Sequence, residues 1–444
     1  MSVRIPLDVV DLDQIKKELT FLYKKVSILK RKVEEKPKEV VCYTCITVKD
    51  KTYLSLPFYW AHNEFDVSHR KKPLIYDYVA LKSPWTQQQL DEVNSVIEHL
   101  TEHKSIALTL RTGAGKTAVS LFTACHFQQL TVILVHTIDL AYQWRTAVQK
   151  YTDAKCEVVE LNTVNISGKI PIVICLYTRW RSIPLHIRRG VGLLVIDECD
   201  DFCNPTGIQA IIGDHKDEGI QPLMVLGCTA TFKRPGTGLE TIMNSVLGYE
   251  IVTRTFDVEF TVNKVLTGIS GERRDAKYTR GVDWPVLKRS LFENPDRTSL
   301  ACSLAVYRVS QGRKPIILCT ENNHAKSIYD LLFANKASVD WFYGNKKSYV
   351  DSDILVAGTK KAGRGFDEEN ACPQWKGKRF DCAIIVGFVK NETLLTQWIG
   401  RVFRAKDPIV DHFVDDDKTV NAQWLEMLDV YTWMNATIKE MRFE

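Results

Sequence analysis

Residues 106–127 read IALTLRTGAGKTAVSLFTACHF, and the architecture of the chain can be inferred outward from them. The first five residues form a short apolar run, glycines follow at Gly113 and Gly115, and the stretch from Ala118 to Phe127 has helical character. Short apolar runs of this kind are typical of strands that are covered on both faces. The order strand, glycine-rich loop and helix predicts a phosphate-binding loop in an α/β domain.

The loop carries the residue types that hold a nucleoside triphosphate. The backbone N–H groups of Gly113-Ala114-Gly115 can wrap phosphate oxygens at the start of a helix. Lys116 would reach the β- and γ-phosphates, and Thr117 would ligate Mg²⁺. The general form of this loop has a glycine where Leu110 stands, so the sequence carries a variant. We therefore expect ATP and Mg²⁺ as the ligands of this loop.

Seven further apolar runs recur along the chain, with helical stretches between them. They are TVILV (131–135), IPIVIC (170–175), GLLVID (192–197), PLMVLG (222–227), PIILC (315–319), DILVAG (353–358) and CAIIVG (382–387). This alternation predicts two tandem α/β domains, each built on a doubly wound parallel sheet. We assign residues 79–255 to the first domain, 256–444 to the second, and 1–78 to a small helical and β-rich N-terminal extension.

The start of the extension shows a heptad-like spacing of apolar residues. They are Leu12, Ile15, Leu19, Leu22, Val26, Leu29 and Val33. The spacing predicts an amphipathic helix over residues 11–33, which Pro37 would stop. Such a helix would pack on its own protein, and the alternative is that it mediates an oligomer or partner contact.

The rest of the extension, from Val40 to about Tyr78, is β-like and rich in aromatic residues. It contains the pair Cys42 and Cys45, followed by His62 and His69. A zinc site is one interpretation, but this histidine spacing falls outside the usual zinc-finger range. A pair of strand cysteines is the interpretation that we favour.

Composition narrows the class of protein. With 444 residues, 45% of them hydrophobic, the chain is a folded protein of two or three domains. Its net charge of +5 allows a local basic groove without arguing for nucleic-acid binding by itself. The twelve cysteines are scattered, several of them inside apolar runs, as in a reducing compartment. Because neither a signal peptide nor a membrane span is recognisable in the sequence, we expect a soluble intracellular protein.

An acidic segment ends the apolar run GLLVI. It reads Asp197-Glu198-Cys199-Asp200. Acidic residues at the carboxyl end of a strand beside the loop strand are placed to serve a nucleotide-bound metal. Asp197 would hold Mg²⁺ through water, and Glu198 would orient the attacking water as a base.

A segment with two arginines lies near the end of the chain. It reads Gln397-Trp398-Ile399-Gly400-Arg401-Val402-Phe403-Arg404. On a helix, positions 397, 401 and 404 would share one face. Arginines so placed can neutralise negative charge that develops on a γ-phosphate.

Taken in order, these segments resemble the motifs of superfamily 2 helicases. That family lacks the first loop glycine and uses a T-G-x-G-K-T core, as residues 112–117 do. The acidic box at 197–200, the T-A-T segment at 229–231 and the Gln-x-x-Gly-Arg-x-x-Arg segment at 397–404 follow in the family's order. The resemblance implies two RecA-like domains that clamp ATP between them, and it covers roughly residues 80–415.

The resemblance also assigns roles that the residues alone do not give. The implied nucleic-acid contacts are Thr137, Thr178, Thr229, Thr231, Thr359 and Lys360. In the segment after the run DILVAG, Gly365 and Asp367 would approach the nucleotide and the domain interface. The glutamine that reads adenine lies upstream of the loop in this family, and Gln87, Gln88 and Gln89 are the candidates here.

The function implied is that of a nucleic-acid-stimulated ATPase that moves along DNA or unwinds it, at a single strand or a duplex junction. The segments 257–260 and 294–297 resemble the poxvirus transcript-release helicase and its relatives in large DNA viruses. A role with the transcription machinery or in repair follows, in the cytoplasm, virus factory or virion. An RNA helicase and a double-stranded DNA translocase without strand separation are the alternatives.

Overall fold

The computed structural model describes most of the chain. The described ranges are 2–23, 38–48, 50–65, 72–81, 87–110, 114–160, 166, 168–214, 218–230, 239–248, 251–253, 258–275, 282–362, 366, 368–389 and 392–442. Described residues up to Thr253 form one compact unit, and those from Val258 onward form another.

The first unit begins with a small α/β segment that packs on the larger sheet domain. Its elements are β1 (Ser2–Pro6), α1 (Leu12–Glu18), β2 (Thr20–Tyr23), β3 (Lys38–Val41), β4 (Thr44–Val48), β5 (Lys51–Pro57) and α2 (Phe58–Phe65). Strands β1, β5 and β4 form one antiparallel sheet, and β2 pairs with β3. The Ser55 hydroxyl donates to the Ile212 carbonyl at 2.7 Å, and Arg4 pairs with Glu218 at 2.6 Å. These contacts fix the N-terminal segment to the rest of the unit.

The larger part of the first unit alternates strands and helices. Its elements are α3 (Gln87–His103), β6 (Ser105–Thr109), α4 (Lys116–Phe127), β7 (Thr131–Val135), α5 (Ile138–Tyr151), β8 (Cys156–Val159), β9 (Ile172–Leu176), α6 (Leu185–Gly190), β10 (Leu193–Asp197), α7 (Cys199–Phe202), α8 (Pro205–Ile212), β11 (Met224–Thr229), α9 (Leu239–Leu247) and β12 (Ile251–Thr253). In the described residues, seven strands pair in parallel in the order β12-β6-β11-β10-β7-β9-β8.

Both faces of this sheet are covered, as β7 illustrates. Val132 and Leu134 belong to the buried cluster on one face, and Ile133 and Val135 belong to the cluster on the other. Successive side chains of a strand point to opposite faces, so a strand buried on both sides needs an unbroken apolar run. This confirms the predicted doubly wound parallel sheet.

The second unit repeats the design. Its elements are β13 (Thr261–Leu266), α10 (Trp284–Phe292), α11 (Pro295–Ser310), β14 (Pro315–Cys319), α12 (Asn322–Ala334), β15 (Val339–Phe342), β16 (Ile354–Gly358), α13 (Thr359–Ala362), α14 (Glu368–Ala371), β17 (Cys382–Ile385), α15 (Glu392–Ile399), β18 (Ile409–Val414), α16 (Lys418–Trp433) and β19 (Thr437–Arg442). Its described strands pair in parallel in the order β15-β16-β14-β17-β18-β13-β19. The prediction of two tandem RecA-like α/β domains is thus confirmed.

The predicted heptad helix over residues 11–33 is wrong where the chain is described. Helix α1 ends at Glu18, and Thr20–Tyr23 is a strand in which Phe21 lies opposite Val40. Ile15 and Leu19 are buried in the core of the first unit, which satisfies their apolar surface without a partner helix. The strand pairing overrides the heptad spacing because Thr20, Phe21 and Tyr23 suit a strand. Residues 24–33 lie outside the described ranges.

The β-like segment that follows also needs a correction. Strands β4 and β5 lie in it, but Phe58–Phe65 is helical. Cys42 is buried just after β3, whereas Cys45 is exposed on β4. Among the described residues no cluster of three or more His, Cys, Asp or Glu side chains could hold a metal ion, and His69 lies outside them.

None of the helices in the described ranges is long and apolar enough to span a membrane.

A buried ion pair links helix α11 to the segments that follow β13, β17 and β18 in the second unit. Arg297 on α11 donates from Nε to Asp415 at 2.9 Å and from Nη2 to the Val386 carbonyl at 2.9 Å. The Thr267 hydroxyl also donates to Asp415 at 2.8 Å. Arg297 is 1% exposed and Asp415 is fully buried. Removing one partner would leave the other charge buried and unpaired, which is strongly unfavourable.

We therefore predict that Arg297→Ala destabilises the second unit by about 3–5 kcal/mol. The measurement is the free energy of unfolding of the full chain in urea, monitored by circular dichroism. Arg289→Ala is the matched control, because Arg289 pairs with Glu293 at 4.0 Å on the surface and its loss should cost less than ~1 kcal/mol. Equal free energies of unfolding for the two variants would contradict the prediction.

Candidate nucleotide and nucleic-acid site

The site in the first unit is built where its parallel strands end. Strand β6 leads into the glycine loop, β10 ends at Asp197, and β11 ends at Thr229. In the sheet register Thr109 lies beside Thr229, and Asp197 lies beside Cys228. The carboxyl ends of parallel strands meet at one edge, which is the edge where ligands bind in open α/β sheets.

One detail of the predicted arrangement is wrong. We expected the acidic strand to lie beside the loop strand, but β11 lies between β6 and β10. The Leu110 amide donates to the Thr229 carbonyl at 3.1 Å, which extends the pairing past the end of β6. The strand of the T-A-T segment therefore links the glycine loop to the acidic segment.

The glycine loop is described from Ala114 onward. Gly115 has φ +102°, a left-handed conformation that favours glycine, and helix α4 begins at the next residue. A Cβ at position 115 would lie 2.9 Å from Nε2 of Gln89, so the Gln89 side chain lies against the loop. Among the three candidate glutamines, Gln89 is the one that the described contacts bring to the loop.

Lys116 is half-buried at the start of α4, with its ammonium turned back onto the loop. Its Nζ donates to the Leu110 carbonyl at 2.9 Å. Thr117 follows in the first turn and is also half-buried. A phosphate oxygen is a stronger partner for an ammonium than a carbonyl, because both groups are then charged. The Lys116 ammonium is therefore placed to exchange the Leu110 carbonyl for a phosphate oxygen of a bound triphosphate.

Asp197 carries a hydrogen bond that the sequence did not predict. Trp144 on α5 is 2% exposed, and its indole Nε1 donates to Oδ2 of Asp197 at 2.8 Å. Burial raises the pKa of the Asp197 carboxyl above its usual range, while the Trp144 hydrogen bond and the charge of Lys116 oppose that rise. Trp144 therefore helps to keep this carboxylate ionised, the form that a metal needs.

Glu198 has an unusual backbone. Its φ of 51° and ψ of 55° place it in the left-handed region, at the N-cap of α7. Non-glycine residues occupy this region at a cost, and such strain concentrates at functional sites. Glu198 is half-buried, directly beyond the end of β10.

Asp200 and Thr229 form the second link across the site. The Thr229 hydroxyl donates to Oδ1 of Asp200 at 3.0 Å, with both side chains buried. Thr229 was predicted to contact nucleic acid and to tie the acidic segment to that site; its buried hydroxyl makes the bond to the acidic segment, and the nucleic-acid contact stays a prediction. The role of Asp200 was not predicted; its place as the last acid of the box was the available signal.

Two other predicted contact residues are exposed along the same edge. Thr137 caps α5, where its hydroxyl accepts from the Leu140 amide at 3.3 Å, and Thr178 lies in a short 3-10 helix, Tyr177–Ser182, after β9. The rings of His136 and Tyr177, each beside one of these threonines, have centroids 5.1 Å apart. The contact joins the two strand ends.

In the second unit, Thr359 and Lys360 begin the short helix α13 directly after β16. Thr359 is nearly buried, and Lys360 is exposed. Both lie at the carboxyl edge of their sheet. The predicted site residues Gly113, Thr231, Gly365 and Asp367 lie outside the described residues.

The prediction that positions 397, 401 and 404 share a helix face is wrong. Helix α15 ends at Ile399, and residues 400–404 form turns, so the glycine at position 400 ends the helix. Gln397 and Arg401 are buried, and Nη1 of Arg401 donates to the Phe366 carbonyl at 2.7 Å. Arg404 is exposed. Within the described chain, neither amide atom of Gln397 has a hydrogen-bond partner, although both are buried.

The arrangement in the first unit fits a nucleoside triphosphate with Mg²⁺. Lys116, the left-handed Gly115 and the first turn of α4 suit phosphate oxygens. Asp197 and Thr117 offer the oxygen ligands that Mg²⁺ prefers. Together with the two parallel-sheet domains, these residues resemble those of the ATP-hydrolysing helicases of superfamily 2.

Comparison with known proteins agrees with this class. Residues 82–234 match the family model described as "Type III restriction enzyme, res subunit". The whole chain aligns with the whole of "Putative helicase 161L" of Invertebrate iridescent virus 6, at 22% identity. A 120-residue stretch, 26% of this chain and 25% of the relative, is 31% identical to "DNA 3'-5' translocase XPB2" of Sulfurisphaera tokodaii.

A solved structure supports the fold. S. cerevisiae Dbp5, bound to RNA and ADP BeF3, superposes with a TM-score of 0.52 at 13% sequence identity. The match covers 81% of this chain and 94% of that one. At this identity the likeness concerns the architecture of two parallel-sheet domains.

Trp144→Phe should move the acid side of the pH profile for ATP hydrolysis to higher pH. The metal-holding role expected of Asp197 needs an ionised carboxylate, so activity should fall as pH drops through its pKa. Loss of the indole N–H removes a hydrogen bond that lowers this pKa, so the fall should begin at higher pH. The profile should be compared with that of Trp433→Phe, since Trp433 is 66% exposed. An acid limb that coincides with that of the control would contradict this role.

Proposed function

We propose that this protein is an ATP-driven motor that moves along DNA and that separates strands or displaces transcripts as it moves. The observation that carries the proposal is the convergence of Lys116, Asp197 and Glu198 at one sheet edge, with Thr229 bonded to Asp200 behind them. The first three residues suit phosphate, metal and water, in that order.

In the proposed reaction Lys116 leaves the Leu110 carbonyl to bind the β- and γ-phosphates. Mg²⁺, when bound, would neutralise part of the phosphate charge. Asp197 and Thr117 would hold that ion, and Glu198 accepts the proton of the attacking water. The hydrogen bond from Thr229 to Asp200 ties the end of β11 to the acidic segment. A shift of β11 would therefore move the segment that carries Asp197 and Glu198.

We assign to Arg404 the neutralisation of charge that develops on the γ-phosphate. Its exposed side chain supports this role. Arg401 donates to the Phe366 carbonyl, which supports a role in fixing the backbone at Phe366. The buried amide of Gln397 has no hydrogen-bond partner within the described chain, and a bound nucleotide or a water molecule would supply one.

We favour DNA over RNA as the track. The matched family model is described by a restriction enzyme subunit, and XPB2 is named as a DNA translocase. RNA is the second candidate, because Dbp5 is bound to RNA in its structure. Thr359 and Lys360 after β16, with Thr137 and Thr178 in the first unit, are the residues that we propose hold backbone phosphates.

Lys116→Ala should reduce ATP hydrolysis to background, because the lysine is the main charge on the β- and γ-phosphates. Arg404→Ala should lower the stimulated rate on the order of 10³-fold, as loss of an arginine finger does. The measurement is kcat with and without a saturating single strand. Arg442→Ala, an exposed arginine on β19, is the matched control. Full stimulated activity in Arg404→Ala would refute the finger assignment.

DNA should stimulate ATP hydrolysis more than RNA of the same sequence and length. The comparison must be made at one salt concentration, because phosphate contacts make affinity strongly salt-dependent. Displacement of a triplex strand, compared with unwinding of a forked duplex, then distinguishes translocation from strand separation. Stronger stimulation by RNA would replace the DNA assignment with the RNA one.

A further inference from the structure

A cavity of about 540 Å³ lies in the second unit, at the carboxyl edge of its sheet. Thr320 directly after β14 and Phe388 just after β17 contribute to its lining. Helix α10 contributes Trp284 and Phe292, and α12 contributes His324. The volume is in the range of small-ligand pockets.

Much of the lining is aromatic. Phe292 stacks on His324 with ring centroids 4.6 Å apart and planes 12° apart, and on Phe388 at 5.1 Å and 18°. Trp284 meets Phe388 edge to face at 5.0 Å. Trp284 and Phe388 are partly exposed, whereas Phe292 is buried. The accessible part of the wall therefore offers aromatic surface to a planar ring.

Polar atoms without partners lie in the same lining. His324 is 2% exposed, and neither ring nitrogen has a hydrogen-bond partner within the described chain. The Thr320 hydroxyl is likewise buried without one in the described residues. Burial, with the charge of Arg297 adding to it, lowers the pKa of His324 to about 3. The imidazole is therefore neutral, with one donor and one acceptor that are unused.

The charges of the lining are nearly balanced. Lys288 pairs with Glu321, and Arg289 lies 4.0 Å from Glu293. A cavity that selected a phosphate would need an excess of cations or a fan of N–H groups. This lining instead suits a neutral, planar group with a hydrogen-bonding edge.

The cavity is close to the proposed phosphate contacts of the second unit. Strands β14 and β16 are paired, with Cys319 beside Gly358. Thr320 and Thr359 follow these residues at the same sheet edge. Adjacent strands are about 4.8 Å apart. A nucleic-acid strand whose phosphates are held at Thr359 would therefore pass the cavity.

We propose that this cavity receives an unstacked nucleobase of the bound strand, an assignment that rests on the proposed function. The base lies against Trp284 and Phe388 and offers its polar edge to His324 and Thr320. An apolar side chain of a partner protein would leave both of those polar groups unsatisfied, which favours the base. The second unit thus holds bases as well as phosphates.

The test compares Kd values for a thymidine strand and for an abasic strand of equal length, by fluorescence anisotropy at fixed salt. The full chain should bind the thymidine strand about tenfold more tightly, since stacking on an aromatic face contributes at this scale. Trp284→Ala and Phe388→Leu should weaken binding of the thymidine strand and reduce that preference severalfold. Binding of the abasic strand should change little. Trp433→Ala, at an exposed tryptophan of the same unit, should keep the preference.

The outcomes separate the cavity from the proposed function. A thermal melt of each variant identifies loss of folding, and Phe388→Leu keeps the apolar bulk if Trp284→Ala is unstable. If both folded variants keep the wild-type preference, or if the wild type binds the two strands equally, the base assignment is overturned alone. If the wild type binds neither strand and neither strand stimulates its ATP hydrolysis, both the base assignment and the proposed function are overturned.

Discussion

Parallel strands start at one edge of a sheet and end at the other, and this constraint organises both units. In the first, the ends of β6, β10 and β11 bring the glycine loop, Asp197 and Thr229 together although up to 120 residues separate them along the chain. In the second, the ends of β14 and β16 bring Thr320 and Thr359 together in the same way. Helices cover both faces, so the strand ends are where ligands have access.

Hydrogen bonds at this edge connect residues to which we assign different ligands. Trp144 bonds Asp197 from α5, whose N-cap Thr137 is a proposed nucleic-acid contact. Thr229 bonds Asp200 from the strand that precedes Thr231. Because Thr137 caps α5, which carries Trp144, a movement of α5 at Thr137 can reach Asp197 through the Trp144 hydrogen bond. This gives a physical route by which nucleic acid could stimulate hydrolysis.

The sequence predicted the sheets well because their signal is local. Runs such as TVILV at 131–135 are apolar without interruption, short and rich in β-branched residues, which is typical of a strand covered on both faces. The glycine loop and the acidic box were recognisable for a similar reason, since their chemistry needs contiguous residues. What failed depends on contacts far along the chain. Within residues 11–23, the helix predicted from the heptad spacing ends at Glu18, and Phe21 pairs with Val40 instead.

The same distinction applies within the candidate site. The bond between Trp144 and Asp197 spans 53 positions, and that between Thr229 and Asp200 spans 29, so no local pattern reports them. Helix α15 stops at Ile399, one residue before Gly400, which a strict reading of glycine as a helix terminator would have found. The cavity beside β14 gave no sequence signal, because its aromatic residues come from three separate segments.

The most direct test of the nucleotide site is a crystal structure of the full chain with Mg²⁺ and a non-hydrolysable ATP analogue. We expect Nζ of Lys116 to have left the Leu110 carbonyl for the β- and γ-phosphates, with the metal between Thr117 and Asp197. A nucleotide bound elsewhere, with Lys116 still on Leu110, would contradict the site described here.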